Sequence, residues 1–305
     1  MTMRLLLALV MTANACTASE SLSALPTASL AAADQPALDP HEQFCLGQRL
    51  ENGIDTGSDP TSAVTCYRDA AQHGHSGAAF ALALCYQLGK GIDRDLVAAV
   101  RWYRIAAADG HMLAEYNLAV CYANGDGVEP DPAMAFQWYS LAARQGDMEA
   151  QYSLGHYYKH GVGVAKNLLE ASWWYFQAAR NGHIDATYNL GVCFAKGEGV
   201  RQDLAQALGW YEEAAEQGDA DSQNMVGFYH ESGRGTPRDA MRAAEWYRRA
   251  AEQGHPRAQF RLGRLYHIGM GVPKDLMQAV DWYLKAADRD PEAKHALNTL
   301  REAKH

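Results

Sequence analysis

The stretch DATYNLGVCFAKGEGVRQDLAQALGWYEEAAEQGD, residues 185–219, decides the fold. Its Trp210-Tyr211 pair has counterparts at Trp102-Tyr103, Trp138-Tyr139, Trp174-Tyr175, Trp246-Tyr247 and Trp282-Tyr283, each 36 residues from the next. One step further back lies a diverged copy, Cys66-Tyr67. Four residues after the first member of each pair comes an alanine pair, from Ala70-Ala71 to Ala286-Ala287. Seven copies without an insertion mark a repeat architecture, in which each unit buries its apolar face only against its neighbours.

Each copy reads as two helices. In Ala78 to Leu88 the residues Phe80, Leu82, Ala83 and Tyr86 share one helical face. A G-x-G element then ends the helix, as in Gly89 and Gly91 or Gly197 and Gly199, because glycine tolerates the left-handed turn that closes a helix. Four residues after the second glycine stands an N-cap residue, Asp59, Asp95, Asp131, Asn167, Asp203, Asp239 or Asp275. The second helix follows, with small alanines allowing close helix approach and the indole filling the gap between repeats. Where the chain has Asp290-Pro291 in place of the inter-repeat glycine, the tail from Glu292 to His305 reads as a capping helix.

At 305 residues the chain exceeds what one compact core usually holds, consistent with an elongated repeat. Its 48% hydrophobic content, with 16 Tyr, 7 Trp and 7 Phe, excludes wholesale disorder. A formal charge of −9, from 27 basic and 36 acidic residues, argues against sequence-independent nucleic-acid binding, which needs a basic surface. No apolar run reaches the ~18 residues of a membrane-spanning helix.

The amino terminus reads as an export signal over residues 1–15: Arg4, an apolar run from Leu5 to Met11, and Ala13-Asn14-Ala15 before Cys16. Two processing routes stay open. Cys16 is a lipidation candidate, because the segment resembles a bacterial lipoprotein signal, although Ala13 stands where such signals usually have Leu. Cleavage near Ala31-Ala32-Ala33 would instead release a chain starting close to Asp34. Residues 16–40, rich in Ala, Ser and Pro, read as a flexible linker. The expected localisation is therefore periplasmic, outer-membrane lipoprotein or secreted, with membrane contact only through a lipid anchor at Cys16. Export permits disulfides, and Cys45 and Cys66, on the two helices of the first repeat, are the candidate pair.

The pattern A-x-Y-x-L-G-x-x-Y, G-x-G-V-x-x-D, A-x-x-W-Y-x-x-A-A-x-x-G, seen from Ala114 to Gly146 and from Ala186 to Gly218, resembles the Sel1-like repeat, a relative of the tetratricopeptide repeat. The resemblance covers residues 41–305. It implies an all-α fold, a right-handed α-solenoid superhelix of about seven 36-residue helix-turn-helix repeats with a C-terminal capping helix. The repeats fall at about 41–76, 77–112, 113–148, 149–184, 185–220, 221–256 and 257–290, with the cap at 291–305. First helices should line a concave face. Known members are adaptors, so the resemblance implies a noncatalytic scaffold that binds a protein or peptide partner, in envelope regulation, assembly or host interaction.

Carried onto this chain, the partner-binding candidates are Tyr116, Asn117, Asn124, Tyr152, His156, Lys159, His160, Tyr188, Asn189, Lys196, Phe228, Arg261 and Arg264. Asn117 and Asn189 can offer donor and acceptor to an extended peptide. Tyr116, Tyr152 and Tyr188 form a ladder expected to pack within the protein. A rival reading is a cell-wall or β-lactam-binding protein of the cysteine-rich Sel1-like type, although repeats four, six and seven here carry no cysteine.

Chemistry is sparsely signalled. His156 and His160 stand at i and i+4, a spacing that can hold zinc, but without a Glu between them or a third ligand. His75, His111, His183 and His255 follow the inter-repeat glycines and belong to turns. No G-x-S-x-G or S-x-x-K nucleophile motif occurs, and the G-x-G elements follow helices, so no phosphate cradle is implied. Neither catalytic residues nor a metal or cofactor site is expected.

Overall fold

The computed structural model describes residues 38–54 and 57–302; the export signal, Cys16 and nearly all of the linker lie outside the described residues. The described residues form fifteen helices and no strand. Seven hairpins follow one another: α1 Pro40–Asn52 with α2 Pro60–Gln72, α3 Ser76–Leu88 with α4 Leu96–Ala108, α5 Met112–Asn124 with α6 Pro132–Arg144, and α7 Met148–His160 with α8 Leu168–Arg180. They continue as α9 Ile184–Lys196 with α10 Leu204–Glu216, α11 Ala220–Ser232 with α12 Ala240–Glu252, and α13 Pro256–Ile268 with α14 Leu276–Ala286, before the terminal helix α15 Pro291–Glu302.

The helix starts follow from their caps. Asp95, Asp131, Asn167, Asp203, Asp239 and Asp275 each precede a second helix and accept a backbone N–H from its first turn, at 2.9–3.2 Å. The turn histidines have the same task at first helices: His75, His111, His183 and His255 accept from Ala78, Ala114, Ala186 and Ala258 through Nδ1, at 3.0–3.3 Å. At the other first helices this place belongs to Asp39, Asp147 and Asp219, and at the terminal helix to Asp290. A histidine that accepts through Nδ1 carries its proton on Nε2, so four of these caps require a neutral ring.

Burial picks out the tyrosine of each Trp-Tyr pair. Tyr67, Tyr103, Tyr139, Tyr175, Tyr211, Tyr247 and Tyr283 are 0–6% exposed. Each neighbouring Trp is half-buried, and Trp210 and Trp246 pack against the apolar cluster that the second helix of the preceding hairpin forms with the first helix of their own. In five hairpins the buried ring closes on a glycine of its first helix: a Cβ on Gly191 would stand 2.7 Å from the Tyr211 ring, and one on Gly47 2.6 Å from the Tyr67 ring; Ala83 and Ala119 hold this position in the second and third hairpins. The A-x-Y-x-L-G pattern thus supplies a floor for the next helix's tyrosine as well as a helical stripe.

Helix contacts run between elements adjacent in sequence. They divide the chain into two compact units, residues 1–150 and 151–305, with the division inside α7. In the second unit, α15 covers the open side of α14 with Ala293 and Leu297 and is capped by Asp290, whose carboxylate accepts from Glu292 at 2.9 Å. No described helix is long and apolar enough to cross a membrane.

Candidate functional site

The first-helix aromatic residues belong to the core. Tyr116 packs on Tyr139, Tyr152 on Tyr175 and Tyr188 on Tyr211, with ring centroids 5.5–5.9 Å apart. Tyr152 also stacks on the capping His183 at 4.4 Å. The ladder therefore packs within the protein, each ring on the second helix of its own hairpin. The two asparagines spend part of their bonding on their own helices: Asn117 Nδ2 donates to the Leu113 carbonyl at 2.7 Å, and Asn189 Nδ2 to the Asp185 carbonyl at 2.8 Å. One amide proton and the carbonyl oxygen of each stay outside that bond. Asn124 is exposed and bonds to Asp126 at 3.2 Å.

In the second unit, sequence variation opens a groove of about 430 Å³ along α9 and α11, with one contribution from α7. Its floor is apolar and aromatic: Val192, Ala195, Met225 and the rings of Tyr188, Tyr211 and Tyr229. Three cations, Lys159, Lys196 and Arg234, and the amide of Asn189 complete the lining. Among the described residues no acidic side chain lines it, on a chain whose formal charge is −9. Glu198 stands just outside, 3.7 Å from Lys159 Nζ and 3.8 Å from Lys196 Nζ. Burial raises the phenol pKa of Tyr188 and Tyr211 above the usual value, so both remain hydrogen-bond donors.

Arg234 is held by its neighbours. α11 ends at Gly233, which has φ +73°, and the amides of Gly233 and Arg234 both donate to the Tyr229 carbonyl, at 2.8 and 3.1 Å. Gly235, at φ +66°, approaches the Leu204 carbonyl so closely that any Cβ would collide with it. The residue between the two glycines is thereby aimed from a fixed turn, and its side chain is free to vary.

Of the sequence candidates, Lys159, Tyr188, Asn189 and Lys196 meet in this groove. His156 and His160 are exposed on α7 with ring centroids 4.4 Å apart; burial first, then His160 and Lys159, hold the His156 pKa below its usual value. Phe228, Arg261 and Arg264 are engaged with one another's surroundings. Arg261 lies over Phe228 at 4.7 Å and donates to Asn224 Oδ1 at 3.0 Å, and Arg264 is ion-paired to Glu231. Tyr211, Tyr229 and Arg234 escaped the sequence reading. The first two sit at core positions, and Arg234 sits inside a G-x-G element that reads as punctuation.

The expected Cys45–Cys66 bridge is not formed. Cys45 is disulfide-bonded, but Cys66 is a free, buried thiol, as are Cys85, Cys121 and Cys193. Cys66 precedes the core anchor Tyr67 and packs as a small apolar group, its pKa pushed up by burial. Cys16 lies outside the described residues.

Hairpins repeated in one register, with a groove lined largely from their first helices, define a helical repeat protein. The chain belongs to the Sel1 repeat family: the repeat matches residues 43–75, 76–111, 113–147, 149–183, 184–219, 220–255 and 256–291. Proteins of this α-solenoid class are typically scaffolds for protein–protein contact. The chain is similar to a protective antigen present in uropathogenic Escherichia coli strains and displaying an SLR fold, with 35% identity and a TM-score of 0.79. That match covers 82% of this chain and 54% of the antigen, so the chain spans about half the antigen's length. It is also similar to a Sel1 repeat protein from Oxalobacter formigenes, with 33% identity, a TM-score of 0.70, and coverage of 86% of this chain and 76% of that one. Among curated proteins no match is found.

Proposed function

We propose that this chain is an exported, noncatalytic scaffold that holds a protein partner through a peptide segment laid along its first helices, serving envelope regulation, assembly or host interaction. The observation that carries the reading is the groove of α9 and α11. There the repeat frame presents cations, phenols and an amide over an apolar floor, the mixture that fixes a peptide in place while burying its side chains. The signal-like order of residues 1–16 supports export. The cysteine-rich, β-lactam-binding alternative gains nothing from thiols that are free at Cys66, Cys85, Cys121 and Cys193.

A photo-crosslinking amino acid placed at Asn189 in the native cells should give a protein adduct, while the same group at the exposed Glu213 of α10 should not. Equal labelling from both positions, or none from either, refutes the reading. Export is tested on the mature protein by mass: a chain beginning at Cys16 or near Asp34 is expected, and a chain that retains Met1 refutes it.

A further inference from the structure

The repeat frame allows one hairpin to be read against another at equivalent positions. In the first hairpin Glu51 joins two partners: the buried Tyr67 hydroxyl donates to it at 2.6 Å, and Lys90, between the two glycines of the next G-x-G element, pairs with it at 2.8 Å. Four repeats on, these three positions are Ala195, Tyr211 and Arg234. The cation and the phenol are both retained, and the carboxylate between them is replaced by a methyl group. Among the described residues the Tyr211 hydroxyl makes no hydrogen bond and Arg234 has no ion-pair partner. The groove opens at this point, with Ala195, Tyr211 and Arg234 all in its lining.

The intervening position shows the same logic with the charges exchanged. There the trio is Lys159, Tyr175 and Glu198, with Lys159 lying 6.0 Å over the Tyr175 ring and 3.7 Å from Glu198. In the sixth hairpin Glu231 again accepts from the buried tyrosine, Tyr247, at 2.7 Å, and its cation is Arg264. The fifth hairpin keeps the donors of this arrangement and lacks its acceptor.

We infer that the fifth hairpin takes a carboxylate from outside: an Asp or Glu side chain of a partner peptide occupies the place that Glu51 fills in the first hairpin, bonded by Tyr211 and Arg234. Lys196 and Lys159 add a second attraction along the groove, and Val192 with Met225 receives an apolar side chain beside the acid. The occupant is therefore an acidic peptide segment with interspersed apolar residues. Charge complementarity favours it, since Lys159, Lys196 and Arg234 line the groove with no acidic side chain among them and attract an acidic segment. Glu198, shared by both lysines, competes with the ligand. The inference rests on the peptide-scaffold reading above and specifies its ligand.

The test uses a fluorescein-labelled ten-residue peptide of alternating Glu and Leu, its Gln-for-Glu counterpart, and the full chain, read by fluorescence anisotropy at low salt. The Glu peptide should bind at least about tenfold more tightly than the Gln peptide, as expected for charge-assisted hydrogen bonds. A195E, which rebuilds the Glu51 arrangement inside the protein, should remove about tenfold or more of that binding, and R234Q should do likewise. E198Q should strengthen it about threefold, a gain that a merely structural role would not produce. Position 195 carries Glu in two other hairpins, so A195E is compatible with the frame, and Arg234 is exposed. Equal affinity for the two peptides, binding of neither, binding of an oligouronate in their place, or indifference to A195E overturns the inference. A protein adduct at Asn189 that survives A195E would leave the scaffold reading standing while removing this ligand; selective peptide binding with no adduct would do the reverse.

Discussion

Tyr67 and Tyr211 occupy equivalent places in the first and fifth hairpins and are equally buried, each 1% exposed and each lying on a glycine, Gly47 or Gly191. They differ at the polar end. Tyr67 donates to Glu51, which also holds Lys90, whereas the Tyr211 hydroxyl faces a groove that Ala195 leaves open. The depth of the ring is set by the alanine pairs and caps that every repeat shares and by the small residue, Gly or Ala, beneath the ring. What the hydroxyl meets is set by one residue that the repeat leaves free. Stability and specificity are thereby assigned to different positions of the same 36-residue unit.

That division is tested first by removing the ring. Tyr67→Ala and Tyr211→Ala should each destabilise the chain by about 3–5 kcal/mol, the usual cost of truncating a buried aromatic, and by similar amounts. Urea denaturation followed by circular dichroism reads the difference; a much smaller cost at Tyr211 would mean that the polar end, and not the ring, anchors the hairpin. Removing only the hydroxyl should separate the two sites. Tyr67→Phe breaks a hydrogen bond to a carboxylate that is itself nearly buried and should cost about 1.5–3 kcal/mol. Tyr211→Phe breaks none among the described residues and should stay within about 0.5 kcal/mol of the parent chain.

Adding the missing acid should reverse the contrast. A195E gives Tyr211 and Arg234 the partner that Tyr67 and Lys90 already have and should stabilise the second unit by about 0.5–1 kcal/mol at low salt, less as salt rises. A neutral or destabilising result would show that the two hairpins differ in more than the residue at this position.

The frame was legible because it repeats. The 36-residue register, the capping Asp and Asn, and the helix-ending glycines are each fixed by backbone chemistry that acts locally, so one sequence displays them seven times. Lys159, Asn189 and Lys196 were found because their positions vary along the first helices, and Tyr188 because it repeats as a rung of the tyrosine ladder. Arg234 was not, because its flanking glycines draw attention to the turn; the signal was the changing residue between them, Lys90, Asp126, Glu198 or Arg234. Tyr211 was hidden for the opposite reason, since it is identical in every repeat and only its neighbour at 195 makes it available. The cysteine pairing failed because shared membership of one hairpin does not place two thiols face to face.

The smallest contrast lies in the caps. His75 and His111 cap α3 and α5 with a neutral ring nitrogen, while Asp219 caps α11 with a carboxylate that accepts from Ser222. Burial, and for both a nearby histidine, hold the pKa of His75 and His111 below its ordinary value, despite Asp39 near the one and Asp109 near the other. A lowered folded pKa means that the unfolded chain binds the proton first. The capping contribution is therefore present above the ordinary histidine pKa, near 6.5, and is lost as the pH falls through it and on through the folded value. Protonation places a donor on Nδ1 opposite the backbone N–H it should accept, so each cap loses about 1 kcal/mol. Carboxylates ordinarily titrate near pH 4, well below this window. Between pH 7.5 and 5, amide exchange corrected for its intrinsic rate should accelerate at the starts of α3 and α5 and not at α11. His111→Asp, which borrows the cap used at α11, should abolish the effect at α5 and leave it at α3. Loss of protection at all three helices alike would point to a global effect of charge and remove the histidine caps as its cause.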